Sequence, residues 1–220
     1  MRNPFPPFRF KLFKQEYGER VIDYLDVGCG SHSPTYTKRW FPHWRYHGID
    51  RPNSDYDTDA SDQAAMETFY ELDLEHDALD PLPDATFDIA TFSHVIEHLP
   101  NGLDVLRGIA AKVKPGGKVY VEFPSERSLN LPSMRGTLHF CDDETHVRVY
   151  SPREIANVLL EEGFRIVRAG PRRDWLRIML FPVVVPAKYL LRRGLSGSDF
   201  WDITGFAAFV YAEKREKLEQ

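Results

Sequence analysis

Short apolar runs separated by polar, turn-rich stretches recur along the chain near 22–27, 45–49, 69–73, 87–92, 118–123, 164–169 and 205–212. Runs of that length, bounded by turn residues, predict strands. Between them the pattern predicts helices near 35–41, 60–67, 102–113 and 152–162. The last of these is the clearest: Ser151 is placed to cap the first turn, Pro152 suits the first helical position, and Glu154 follows the cap by three residues. Ile155, Val158 and Leu159 then share one face, and Gly163 ends the element. Strands alternating with helices predict an α/β fold with a mostly parallel sheet covered by helices on both faces.

Three of the predicted strands run into an acidic residue. Leu25-Asp26-Val27-Gly28-Cys29-Gly30 ends a strand in a carboxylate and a Gly-X-Gly turn, Tyr46-His47-Gly48-Ile49-Asp50 ends a second, and Tyr70-Glu71-Leu72-Asp73-Leu74 carries a third. Glycines at such a turn let backbone approach a ligand closely, and a carboxylate after the second strand is placed to accept hydroxyls of a ribose. Ligands of open α/β sheets bind beyond the carboxyl ends of the strands, where all these residues fall. Thr86 to Ser93 then predicts a fourth strand followed by His94-Val95-Ile96-Glu97-His98-Leu99, and Val113-Lys114-Pro115-Gly116-Gly117-Lys118 turns sharply into Val119 to Phe123.

In this order and spacing, the glycine-rich motif at 25–30, Gly48-Ile49-Asp50, Asp73-Leu74, Phe87-Asp88 with Glu97-His98-Leu99, and Lys114-Pro115-Gly116-Gly117 resemble the class I S-adenosylmethionine-dependent methyltransferases, in particular the branch acting on small molecules. The resemblance spans roughly residues 20 to 170. It implies a Rossmann-like, doubly wound sheet of seven strands whose last strand, supplied by Phe206 to Tyr211, is antiparallel. It also implies S-adenosylmethionine as cofactor, held by Asp26, Gly28, Cys29, Gly30, Asp50, Arg51, Asp73, Leu74, Ser93 and His94. In that reading Gly28 and Gly30 admit the methionine end, Asp26 orders its amino group, Asp50 takes the ribose, and Ser93 and His94 face the transferred methyl. The link from Asp73 to Phe87 is longer than usual for the family, so either Asp73 or Asp77 could reach the adenine. Ser31-His32-Ser33-Pro34 implies a modified turn after the glycines.

His94 is open to three roles: general base, substrate-orienting group, or cap of the following turn. The family's substrate loop corresponds to 131–150, which makes His139, His146 and Tyr150 the further catalytic candidates. His94, Glu97 and His98 would share a face if helical, a set compatible with a divalent ion, but the reading assigns no metal. A non-catalytic cofactor-binding protein is the alternative from another class. A nicotinamide-dependent oxidoreductase is disfavoured by the missing third glycine of the dinucleotide fingerprint and by Pro34.

Composition changes this picture only at the margins. A net charge of −5 argues against general nucleic-acid binding. Two cysteines, Cys29 and Cys141, are too few for a disulfide framework and fit a reducing, cytoplasmic setting. Residues 1–20 read as an N-terminal arm in which Phe5, Phe8, Phe10 and Phe13 mix with Arg2, Arg9, Lys11 and Lys14. Residues 21–220 read as one domain with insertions at about 125–150 and 172–200. Within the second, Trp175 to Leu191 is apolar but interrupted by Arg177 and Lys188, too short to span a bilayer, and broken as a helix by Pro182 and Pro186. Its basic flanks, including Arg172, Arg173, Arg192 and Arg193, suit four roles: a lid over the site, peripheral contact with anionic lipid through 172–193, reception of a lipid-linked or phosphorylated substrate, or a homodimer interface.

Overall fold

The computed structural model describes residues 6–30, 32–51, 59–191 and 193–216. Phe5, Arg2, Ser31 and Arg192, named above, lie outside the described residues.

The chain builds one sheet of seven strands: β1 (Asp23–Val27), β2 (Arg45–Asp50), β3 (Thr68–Glu71), β4 (Phe87–Ser93), β5 (Val113–Pro124), β6 (Phe164–Pro171) and β7 (Ala207–Lys214). Their order is β3-β2-β1-β4-β5-β7-β6. The first five are parallel, while β7 runs antiparallel between β5 and β6. This is the doubly wound sheet with an antiparallel last strand that the sequence implies. The order reverses at β1 and β4, so the crevice beyond their carboxyl ends is the switch point where such sheets take ligands.

Among the described residues seven α-helices accompany the sheet: α1 (Phe8–Tyr17), α2 (Ser33–Trp40), α3 (Ala60–Ala65), α4 (Gly102–Lys112), α5 (Pro152–Glu161), α6 (Trp175–Leu190) and α7 (Trp201–Thr204). Helix α5 starts as its sequence dictates, with Ser151 accepting from the Glu154 amide. Because side chains alternate across a strand, β1, β2, β4, β5 and β7 each feed two cores. Leu25, Val121 and Val210 pack with Leu106 and Ile109 of α4 and Ile155 and Leu159 of α5. On the opposite face Tyr24, Tyr46, Tyr120 and Tyr211 pack with Phe10, Phe13 and Tyr17 of α1. The described part of the expected N-terminal arm is thus mainly a helix, buried through its aromatic residues.

Two departures from the sequence reading concern the second insertion. The stretch 175–190 is a continuous helix with Pro182 and Pro186 inside it. None of its residues is buried, so water can satisfy the carbonyls that the two prolines leave without donors. The insertions are also not independent: Trp201 Nε1 donates to the Thr137 carbonyl at 2.6 Å and the Gly197 amide to the Arg135 carbonyl at 2.8 Å. They form one cap beside the carboxyl ends of β4 and β5. Among the described residues no helix is long and apolar enough to cross a membrane.

Candidate active site

A cavity of about 360 Å³ opens beyond β1, β2 and β4, lined by Gly28, Gly30, Asp50, Arg51, Asp73, Leu74, Ser93 and His94 among the expected cofactor residues. Leu72, Glu75, Val95, His98, Leu99 and Thr145 complete the wall. Two of the expected residues are absent from it, Asp26 and Cys29.

The glycine loop is drawn onto β2 by two amides, Gly28 and Cys29, which donate to the Ile49 carbonyl at 2.8 and 3.0 Å. Gly28 sits at φ 73°, and a Cβ there would lie 2.5 Å from a Val95 methyl. Cys29 turns inward, its sulfur occupying the space that a Cβ on Gly48 would need. Burial, reinforced by Asp26 and Asp50, pushes its thiol far above the ordinary range, so it is an inert packing group.

Asp26, likewise outside the cavity lining, is engaged within the protein. One of its oxygens accepts from Ser33 Oγ and Tyr46 OH, both at 2.6 Å, and the other from Thr91 Oγ1 at 2.8 Å. The carboxylate ties β1 to β2, β4 and the start of α2, and orders the loop from beneath. The turn after the glycines is modified as the sequence implies: His32 adopts φ 62° ahead of α2.

Asp50 has an unspent acceptor. Its Oδ1 takes the Arg51 amide at 2.9 Å, while Oδ2 is buried with no partner. Burial raises its pKa from the ordinary carboxylate value. A desolvated carboxylate oxygen in a cavity wall fits a pair of ribose hydroxyls, and this is the structural feature that matches S-adenosylmethionine most directly. Asp73 lines the cavity and its Oδ1 accepts the Glu75 amide at 3.0 Å, whereas Asp77 accepts the Asp73 amide at 2.8 Å. Asp73 is therefore the residue of the two at the cavity, and Asp77 caps the turn.

At the end of β4, Ser93 Oγ accepts from Arg9 Nη1 at 3.0 Å. His94 follows at φ 57°, a strained conformation for a histidine. Its Nδ1 lies 3.1 Å from Glu97 Oε1 and its Nε2 3.2 Å from Glu122 Oε1. Burial opposes a charge on the ring, but these two carboxylates prevail and push its pKa up to about 9. The two carboxylates engage both ring nitrogens and favour the charged ring, an arrangement that works against the general-base role. Glu122 is held ionised against its burial by Arg172 and His94, and also accepts from Tyr120. Trp201 covers His94 at 4.9 Å between ring centroids and stacks on Phe206 at 4.7 Å.

The remaining catalytic candidates fall elsewhere. His139 caps a short turn, with Nδ1 accepting the Cys141 amide and Nε2 meeting the Leu129 carbonyl. Tyr150 is buried in the main core, its hydroxyl on the Leu99 carbonyl at 3.2 Å. His146 lies behind the cavity wall, against Glu97 and His98. The sequence reading missed Arg9, Glu122, Arg172 and Trp201, which no local motif announces because each reaches the site from a distant segment.

Several solved structures share this fold. An S-adenosylmethionine-dependent methyltransferase from Archaeoglobus fulgidus is 21% identical, with 94% of this chain and 91% of that chain covered at a TM-score of 0.61. A second, from Mesorhizobium loti, is 15% identical, with 94% and 96% covered at 0.63. The [4+2]-cyclase SpnF is 19% identical, with 95% and 81% covered at 0.62. At these identities the likeness concerns the fold. No curated protein sequence matches the chain. The methyltransferase-domain family matches residues 7–169, nearly all of the sheet and the whole cavity wall. The chain belongs to the methyltransferase-domain family.

Proposed function

We propose that the enzyme transfers the methyl group to an oxygen or nitrogen of a small, partly apolar acceptor admitted under the cap formed by the two insertions. The observation that carries this reading is the position of His94: it lines the same cavity as Asp50, Asp73 and Ser93 and meets the aromatic pair Trp201 and Phe206. When bound, the cofactor supplies a methyl group already activated on sulfur, so the protein has to align the acceptor and exclude water. Asp50 and Asp73 would hold the nucleoside, and the glycine loop would admit the amino-acid end. His94, charged and fixed by Glu97 and Glu122, would set its ring beside the acceptor, and Ser93 Oγ, oriented by Arg9, would contact it.

Helix α6 supports the apolar part of the acceptor. It continues the cap and exposes Trp175, Met179, Val183 and Leu190, which share one outward stripe at 68%, 74%, 66% and 77% exposure. An uncovered apolar stripe of this kind marks an interaction surface. Arg193 follows the helix, while Arg177 and Lys188 lie across from the stripe in ion pairs with Asp174 and Asp199; the occupant favoured is an anionic bilayer, from which a lipid-linked acceptor would enter the cap.

The [4+2]-cyclase among the similar structures makes it necessary to follow the methyl group itself. The test is release of S-adenosylhomocysteine, with transfer of a labelled methyl, across hydroxylated, amine-bearing and lipid-linked acceptors. Calorimetric titration with S-adenosylhomocysteine, with NADH as control, precedes it. Turnover on one of these classes supports the proposal; micromolar cofactor binding without transfer to any of them would sink it.

A further inference from the structure

Behind the cavity wall lies a cluster that nucleoside binding does not use. Glu97 and His98, in the short helical turn 96–98 after β4, and His146, in the cap, bring a carboxylate oxygen and two ring nitrogens within 4.8 Å of one another. The two segments are fastened together by the Val147 and Arg148 amides, which both donate to the Glu97 carbonyl, at 2.9 and 3.2 Å.

The hydrogen bonds fix which atoms are free. His146 Nδ1 lies 2.7 Å from the Phe140 carbonyl, which can only accept, so Nδ1 carries the proton and Nε2 presents its lone pair. That Nε2 faces two carboxylate oxygens, Glu97 Oε1 at 3.9 Å and Asp143 Oδ2 at 3.8 Å. His98 repeats the arrangement: Nδ1 donates toward the Thr145 carbonyl at 3.2 Å and Thr145 Oγ1 at 2.9 Å, and that hydroxyl gives its own proton to Asp143. Its Nε2 is therefore the available atom too. Glu97 is 1% exposed, and although its Oε1 is engaged with His94, Oε2 is buried without a partner. A buried carboxylate oxygen with no donor is costly to leave unpaired.

A carboxylate with two imidazoles, each holding its remote N–H on a backbone carbonyl, is the donor set and the outer shell of a transition-metal site. We propose that Glu97, His98 and His146 bind a divalent transition cation of the zinc type, with Asp143 as a neighbouring carboxylate. The ion fastens the cap segment to the turn after β4 and leaves a coordination position toward the cavity, whose wall includes His98 and Thr145. The other acidic and histidine group, His32 with Asp59 and Asp62, is different: Asp62 already accepts from Thr35 and from His32 at 2.6 Å. The inference rests on the chain's own atoms and is independent of the acceptor.

The chelator-stripped protein would be titrated with Co²⁺ alone, following its visible ligand-field bands, and then with Zn²⁺ by calorimetry. One ion per chain is expected, with Zn²⁺ displacing Co²⁺ and raising the melting temperature. Glu97→Gln and His146→Gln are each expected to weaken binding by about tenfold or more, while His139→Gln, on a histidine outside the cluster, leaves it unchanged. Either ligand variant suffices if the other fails to fold. Absence of saturable binding, or equal affinity in a folded ligand variant and the wild type, would overturn the assignment.

Discussion

Arg9 donates from Nη1 to Ser93 Oγ across 3.0 Å, joining the first helix to the residue that ends β4. Burial opposes the charge of its guanidinium, whose Nε is buried, and Asp26 and Glu122 nearby hold it charged. Helix α1 is thus part of the wall on which the reacting end of the cavity is built, and Lys11 fastens it to Asp174 at the head of α6 at 2.7 Å.

Replacing this guanidinium tests the connection. Arg9→Met is expected to lower stability by about 1.5 to 3 kcal/mol, the range for a hydrogen bond from a charged group. At this chain length each kcal/mol lowers Tm by about 2 to 4 °C. Urea unfolding with an unchanged midpoint would show that α1 is held by its aromatic residues alone.

Asp50 gives the opposite balance, because its free oxygen contributes nothing to the fold. Asp50→Ala is expected to weaken S-adenosylhomocysteine binding by about 1.5 to 3 kcal/mol while leaving Tm close to wild type. Since burial raises its pKa, binding should weaken on acidification at higher pH than an ordinary carboxylate would cause, and Asp50→Asn should remove that limb. Calorimetry at a series of pH values reads both effects.

The sheet and the part of the cavity lining made by Gly28, Gly30, Asp50 and Asp73 were legible because they depend on local sequence. Apolar runs, Gly28 and Gly30, and carboxylates at strand ends lie where a short window can find them. The reacting end was not, since His94 takes its character from Glu122 on β5, Arg172 after β6 and Trp201 on α7, joined only by tertiary packing. The same reason explains Tyr150 and His139: their positions in the loop are visible, but whether a side chain faces the core or the cavity is not. Asp26 takes donors from Tyr46, Thr91 and Ser33 on three elements, partners that no short window of sequence shows.

Asp23 links strand pairing to pH. Arg45 binds it in a fork with two contacts of 2.7 Å, and Lys114 and His47 add to this at 3.2 and 3.3 Å. The Arg45 hydrogen bonds, against burial, hold its carboxyl well below the usual range. The folded state therefore binds this proton more weakly than the unfolded chain. The stabilisation is present above about pH 4 and is lost as the pH falls from there toward the depressed folded value. Because Arg45 is half exposed, about 1 kcal/mol is at stake. Asp23→Asn should flatten the acid limb of a stability profile measured by urea unfolding.

Gly28 combines a backbone and a packing constraint that a double-mutant cycle can separate. Gly28→Ala places a Cβ at φ 73° and 2.5 Å from Val95 Cγ2, and the left-handed conformation alone costs about 1 to 2 kcal/mol. Val95→Ala in that background removes the clash but not the strain. The pair should be less destabilising than the sum by about 1 kcal/mol; strict additivity would mean that the loop moves instead.

Helix α6 offers the test of where the acceptor comes from. Arg172, adjacent to it in sequence, is the wrong residue to alter, since it is buried with Nη1 on Glu122 and its guanidinium over Trp201 at 5.3 Å. Met179 and Leu190 touch the outside, so their substitution leaves the site intact. The wild type should co-sediment with vesicles containing anionic lipid more than with neutral ones, and less as salt rises. Met179→Asp with Leu190→Asp removes about 1.5 to 3 kcal/mol of burial per side chain if both enter the bilayer, enough to abolish co-sedimentation while S-adenosylhomocysteine binding persists. A mass that doubles with concentration and returns to the monomer in this variant, without vesicle binding by either protein, would assign the stripe to a second copy and withdraw the membrane as the source of the acceptor.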